Sequence, residues 1–128
     1  MSNSKWYQSQ SKEFYIAYSI MINAAQHQGF ATYQEIAQAV GLPTAGNYMG
    51  GAISELLRTI SENEVQHNRP MLSAIVIGVN RRLGEGFISL ARKLGLFNNG
   101  DDEEIFWKNE CKKIYKEWKI EYRISKSK

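Results

Sequence analysis

The chain has 128 residues, a net charge of +3, and hydrophobic and charged fractions of 43% and 23%, which are typical of one globular domain. A single cysteine, Cys111, excludes a fold held by intrachain disulfides, and no apolar run is long enough to cross a membrane, so we expect a cytoplasmic protein without a membrane partner. One domain over residues 1–128 is predicted, with a loose arm at residues 1–10 and a basic tail at residues 121–128.

The first predicted helix begins at Ser11 and ends at Gly29. Its apolar residues recur at helical spacing, and three further apolar positions widen the same face, so we expect burial on more than one side. The residues of this face are Phe14, Tyr15, Ile16, Ala17, Tyr18, Ile20, Met21, Ala24 and Ala25.

A second, short helix is predicted from its terminal signals. Thr32 is suited to cap the amino end, and Glu35 can complete a capping box with it. Gly41 is placed for a left-handed carboxyl-terminal cap, and Pro43 prevents the helix from resuming.

A third helix is predicted to begin near residues 44–47 and to end near His67. Two helices joined by a tight turn are typical of a helix-turn-helix. The apolar stripe of this helix consists of Met49, Ala52, Ile53, Leu56, Leu57 and Ile60.

The next segment predicts a strand and a turn. Residues 71–78 contain the β-branched run Ile75-Val76-Ile77, which favours a buried strand, and residues 79–86 form a turn with Arg81 and Arg82 at its tip. This small β-hairpin is placed like the wing of a winged-helix domain. We therefore predict a mostly helical α+β fold of winged-helix type.

Two helices are predicted to complete the chain. One starts at Phe87 and ends at Gly95, and the other covers residues 101–120, with Asp101 and Glu104 as its capping box. The last helix is amphipathic, and its apolar stripe either closes the core or docks a protein partner. The stripe contains Trp107, Cys111, Ile114, Tyr115 and Trp118.

Catalytic and metal sites find little support in the sequence. His27 and His67 lie near predicted helix ends, and with one cysteine they do not provide the ligands of a structural zinc site. Serine-hydrolase signatures and phosphate-binding glycine loops do not occur. We expect no catalytic residue, no metal and no cofactor, and an enzyme hypothesis would rest on Ser73 and glycine-rich turns alone.

Nucleic-acid binding is the function class that the pattern favours. Asn47 could pair with adenine, tyrosines beside the helix-turn-helix could stack on a base, and the two arginines could contact phosphate. Each residue also has a structural alternative, as a helix cap, half-buried packing or a solvated turn. The candidate binding residues are Tyr33, Thr44, Asn47, Tyr48, Arg81 and Arg82.

Three segments carry a family resemblance: Thr32-Tyr-Gln-Glu-Ile-Ala37, the run from Pro43 to Ala52, and the run from Ile77 to Phe87. Their order resembles the C-terminal domain of the alkylguanine-DNA alkyltransferases and of the catalytically silent alkyltransferase-like proteins. The resemblance implies a winged helix that binds the minor groove and rotates a nucleotide out of the stack. On that template Tyr33 matches the tyrosine that crowds the target phosphate, and Asn47 matches the arginine that fills the vacated space.

The chain departs from this family at the acceptor motif. Leu72, Ser73, Ala74 and Ile75 stand where the family has proline, the acceptor cysteine, histidine and arginine. The resemblance therefore implies DNA binding without alkyl transfer. The spacing of other segments also resembles small uncharacterised bacterial and phage proteins, and the alternative hypothesis is a protein-interaction module of a bacterial or phage defence or counter-defence system.

Overall fold

A computed structural model describes residue 8 and residues 10–42, 47–84 and 86–121, with the backbone alone for residues 47–50. The mostly helical α+β class is confirmed. None of the helices in the described ranges combines the length and apolar composition needed to cross a membrane. In chain order the elements are α1 (Lys12–Gln26), β1 (Ala31–Thr32), α2 (Tyr33–Ala39), α3 (Asn47–Gln66), a 3₁₀ helix (Leu72–Ile75), β2 (Val76–Ile77), α4 (Gly86–Lys93) and α5 (Glu103–Glu117).

The terminal signals of α2 are confirmed. The Thr32 hydroxyl accepts a hydrogen bond from the backbone N–H of Glu35 at 3.1 Å, and the Glu35 carboxylate accepts one from the backbone N–H of Thr32 at 2.8 Å. Gly41 has a φ of +84°, which is the left-handed conformation expected after a helix end. Pro43 and Thr44 lie outside the described residues.

Residues 71–77, here called the central segment, lie in the core, and every residue of this segment is buried. The strand predicted for Ile75-Val76-Ile77 is confirmed for Val76 and Ile77, whereas Ile75 belongs to a 3₁₀ helix over residues 72–75. High apolar content predicts burial of this segment but does not distinguish a strand from a buried helical turn.

The sheet differs from the predicted hairpin. β2 pairs in parallel with β1, with Ala31 opposite Val76 and Thr32 opposite Ile77. A single antiparallel bridge between Ile77 and Leu83 is what remains of the hairpin in the described residues. The parallel partner was not predicted because β1 is two residues long and carries no strand periodicity of its own.

The amino end of α5 is capped one residue later than predicted. Asp102, rather than Asp101, accepts a hydrogen bond from the backbone N–H of Ile105 at 3.0 Å. Asp101 instead accepts one from the backbone N–H of Asn98 at 2.8 Å, which closes the preceding turn. Glu104 forms an ion pair with Lys108 at 3.1 Å, so the predicted capping box of Asp101 and Glu104 is not formed.

The apolar stripe of α5 packs on the core of the same molecule. Cys111 and Ile114 are buried, and the indole N–H of Trp107 donates to the carbonyl oxygen of Ala74 at 2.7 Å. The Tyr115 hydroxyl donates to the carbonyl oxygen of Gly29 at 2.8 Å. The helix is therefore part of the folded core.

A buried carboxylate ties three helices together. Glu64 of α3 is fully buried, and it accepts hydrogen bonds from the Tyr18 hydroxyl of α1 at 2.6 Å and from the guanidinium of Arg69 at 2.9 and 3.1 Å. The Arg69 guanidinium lies over the ring of Trp118, which follows α5, at 5.6 Å. Burial and the contact with Glu64 raise the pKa of Tyr18 to about 12.

We predict that Ile114→Ala lowers the free energy of unfolding by about 2 to 5 kcal/mol, because it leaves a cavity in the core. Ile105→Ala is the matched control on the same helix. Ile105 is 60% exposed, and its substitution should change stability by less than about 0.5 kcal/mol. Urea denaturation followed by circular dichroism measures both, and equal effects of the two substitutions would contradict the packing of α5.

Candidate nucleic-acid interface

An open cleft with a volume of about 810 Å³ lies where α2, α3 and α4 meet. Its walls combine apolar and aromatic side chains with three serine side chains. Such a lining offers a ligand both apolar contacts and hydrogen bonds. The residues concerned are Tyr33, Ile53, Leu57, Phe87 and Leu90 for the apolar walls, and Ser54, Ser73 and Ser89 for the hydroxyl groups.

The parallel pairing of the two strands places Tyr33 beside the turn that follows β2. Tyr33 is the residue after β1 and Gly78 the residue after β2, and parallel strands end at the same edge of a sheet. The ring of Tyr33 reaches Gly84, where an added Cβ would lie 2.8 Å from Cζ of Tyr33 and closer still to the hydroxyl oxygen. Only glycine leaves room for the tyrosine at this position.

The environment of Tyr33 keeps its hydroxyl protonated. Burial raises the pKa of this hydroxyl above its ordinary value, and the backbone amide of Gly84 offsets part of the increase. Tyr33 therefore presents a neutral hydroxyl at the cleft at neutral pH.

Residues 78–82, here called the arginine loop, are held by their own hydrogen bonds. The N–H of Gly78 donates to the Arg82 carbonyl oxygen at 3.0 Å, and the N–H of Arg81 donates to the Gly78 carbonyl oxygen at 2.9 Å. The side chain of Asn80 accepts from the N–H of Arg82 at 3.0 Å. These bonds keep Arg81 in a left-handed conformation, with a φ of +67°.

The two arginines of this loop are free to bind an anion. Arg81 and Arg82 are exposed, and no ion pair joins either one to a carboxylate of the described residues. Their charges are therefore available at the surface. The cleft begins two residues after Arg82, because Gly84 lines it and contacts Tyr33.

Ser73 lies in the cleft and is held by a second serine. The Ser61 hydroxyl donates to the Ser73 hydroxyl oxygen at 2.7 Å and accepts from the backbone N–H of Ser73 at 3.1 Å. No histidine or carboxylate of the described residues has a hydrogen bond to Ser73. Ser73 can offer a hydroxyl group to a ligand, but these contacts give it no general base.

The other candidate chemical groups are accounted for by the fold. Burial raises the pKa of Cys111 to about 12, so its thiol stays protonated at neutral pH. Nδ1 of His27 and of His67 each lie 2.8 Å from a backbone carbonyl oxygen of the preceding helical turn. No group of three metal-ligating side chains occurs within the part of the chain that the structure describes.

The rim of the cleft on α3 carries an ion pair that was not predicted from the sequence. Arg58 is hydrogen-bonded to Glu55 and to Glu62, the latter at 3.3 Å, and both Glu55 and Arg58 line the cleft. The spacings of three and four residues are typical of helical ion pairs and could have indicated it. Ser54, Phe87 and Ser89 also line the cleft and were not predicted, because they become neighbours only when distant parts of the chain pack together.

The predicted site residues are described to different extents. The structure brings Tyr33 next to the turn that carries Arg81 and Arg82. Thr44 and the side chains of Asn47 and Tyr48 lie outside the described residues, although Asn47 begins α3 and Gly51, one turn later, lines the cleft.

Comparison with protein-family models, curated proteins and solved structures finds no match to this chain.

We predict that Gly84→Ala destabilises the protein by about 1 to 3 kcal/mol, because the new methyl group overlaps the Tyr33 side chain and must displace it. Gly86→Ala is the control, since a Cβ there meets no atom within 4 Å and Gly86 begins a helix. It should be neutral or slightly stabilising. Chemical denaturation checks both, and a tolerated Gly84→Ala would contradict the close contact with Tyr33.

Proposed function

We propose that the protein binds duplex DNA without altering it chemically, as a winged-helix protein of the alkyltransferase-like type. The observation that carries this proposal is the contact between Tyr33 and Gly84. It joins the amino end of α2 to the turn that follows the exposed arginines, and both Tyr33 and Gly84 line the cleft.

The arginine loop supplies the electrostatic part of the proposal. Arg81 and Arg82 are exposed and unpaired within the described residues, and guanidinium groups bind phosphate oxygens with good geometry. The chain as a whole carries a net charge of +3, so it does not repel a polyanion. The loop would act as the wing that holds the DNA backbone.

The amino end of α3 supplies the second contact. Thr44, Asn47 and Tyr48 precede or begin this helix, and Gly51 on the same helix lines the cleft. A duplex that touches the arginine loop and the cleft would therefore also meet the start of α3. Helix amino termini carry partial positive charge, which favours approach to phosphate.

The cleft is suited to receive a base from the bound duplex. A nucleobase has two apolar faces and a polar edge, which correspond to the aromatic and apolar walls and to the hydroxyl groups of Ser54, Ser73 and Ser89. Proteins that bind an unstacked base use this combination of stacking and edge contacts. We propose that the protein holds the base and does not modify it, because the hydrogen bonds of Ser73 join it to Ser61 and not to a general base.

The alternative hypothesis, a protein-interaction module in a defence or counter-defence system, was motivated by the apolar stripe of the last helix. That stripe contacts the molecule's own core through Trp107, Tyr115 and Ile114. Cys111 and Ile114 of the stripe are buried and its aromatic residues are only partly exposed, so the stripe offers a partner little apolar surface, and we favour DNA.

We predict that the affinity for a short duplex, measured by fluorescence anisotropy, falls steeply between about 50 and 200 mM salt, because binding releases counterions from the phosphates. The double substitution Arg81→Ala/Arg82→Ala should weaken binding at least about tenfold at low salt and reduce the slope of log affinity against log salt by about 2.

Lys112→Ala/Lys116→Ala is the matched control, because it removes two exposed charges from α5, where neither lysine forms an ion pair among the described residues. This variant should bind nearly as well as the unaltered protein. Failure of the unaltered protein to retain duplex DNA at about 50 mM salt would end the proposal.

A further inference from the structure

The arginine loop carries an apolar side chain that is mostly exposed. Val79 is 73% exposed, more than any other large hydrophobic residue of the described chain. Ile77, two residues earlier, is 3% exposed and anchored in the core. Side-chain exposure therefore rises from 3% at Ile77 to 73% at Val79 over two residues.

The loop holds Val79 in place. Its backbone is closed by the hydrogen bonds between Gly78 and Arg82 and between Arg81 and Gly78, and the Asn80 side chain bonds back to Arg82. The bridge between Ile77 and Leu83 ties its base, and Gly84 lies under the ring of Tyr33. Because these hydrogen bonds fix the backbone of the loop, its side chains can contact a partner without a change in loop conformation.

The surroundings of Val79 identify the chemistry of that partner. Arg81 and Arg82 are exposed on the same loop, which contains no acidic residue; the nearest acid in the sequence is Glu85, three residues after Arg82. Protein-docking surfaces present contiguous apolar area, whereas Val79 stands alone between Gly78 and Asn80. One apolar side chain beside two cations instead matches proteins that enter the minor groove, bind the phosphates with arginine and insert an apolar wedge between base pairs.

We infer that Val79 is a wedge that enters a base step of the bound duplex and unstacks it, an inference that rests on the proposed DNA binding. Arg81 and Arg82 hold the phosphate backbone, and the two methyl groups of Val79 enter between the base pairs of the step. The cleft that begins at Gly84 lies directly after the loop and is open to the displaced base. Val79 is thus a positioning residue of the interface, separate from the arginines that supply affinity.

The test uses the 128-residue chain and a short duplex that contains 2-aminopurine, whose fluorescence rises when it leaves the stack, with anisotropy recorded on the same samples. The unaltered protein should bind and raise the fluorescence. Val79→Ala should lose most of the rise while its affinity changes by no more than about threefold, because the phosphate contacts remain. Val79→Leu should restore the rise, since it returns an apolar side chain of sufficient size.

Ile105→Ala is the matched control, because it truncates a 60% exposed isoleucine on α5 and should leave both signals unchanged. Binding without any rise in fluorescence overturns the wedge and leaves DNA binding intact. A full rise with Val79→Ala also overturns it, because another group then unstacks the base. Absence of binding by the unaltered protein overturns the proposed function and the wedge together.

Discussion

Burial of the central segment is the constraint on which the rest of the structure depends. Residues 71–77 lie in the core, yet only Val76 and Ile77 pair with another strand, and the 3₁₀ helix satisfies only some of the other backbone polar groups, so the remainder need side-chain partners. Glu110 accepts from the N–H of Met71 at 2.9 Å, Ser61 accepts from the N–H of Ser73 at 3.1 Å, and Trp107 donates to the Ala74 carbonyl oxygen at 2.7 Å. A buried polar group without a partner costs about 1 to 3 kcal/mol, so these contacts hold α3 and α5 in position.

The same segment sets the position of the candidate interface. Its last two residues form β2, and the parallel register with β1 brings Tyr33 and the arginine loop to the same edge. Ser73, held by Ser61, faces the cleft from the middle of the segment. The central segment therefore positions both the cleft and the arginine loop. A substitution that displaces this segment should change the geometry of both.

Much of the helical framework could be predicted because its signals are local. The capping box of Thr32 and Glu35 and the left-handed glycines Gly41 and Gly95 act through residues a few positions away. The central segment could not be predicted in the same way, since its 3₁₀ conformation depends on Ser61, Trp107 and Glu110, which are distant in sequence. Local ambiguity explains the shift of the α5 cap from Asp101 to Asp102, because either carboxylate is a suitable cap. In the candidate site, Tyr33 and the two arginines were proposed from their motifs, whereas Ser54, Phe87 and Ser89 become neighbours only when α3 and α4 pack.

In this proposal one face of the molecule, built from α2, α3 and the arginine loop, contacts the duplex. Mapping of amide chemical shifts tests this contact most directly. A ¹⁵N-labelled sample would be titrated with a short duplex at low salt. We predict that the shifts change at Tyr33, along the first turns of α3 and across residues 78–84, while the exposed face of α5 stays unchanged. Changes confined to residues 103–117, or no changes at a DNA concentration that saturates binding, would contradict it.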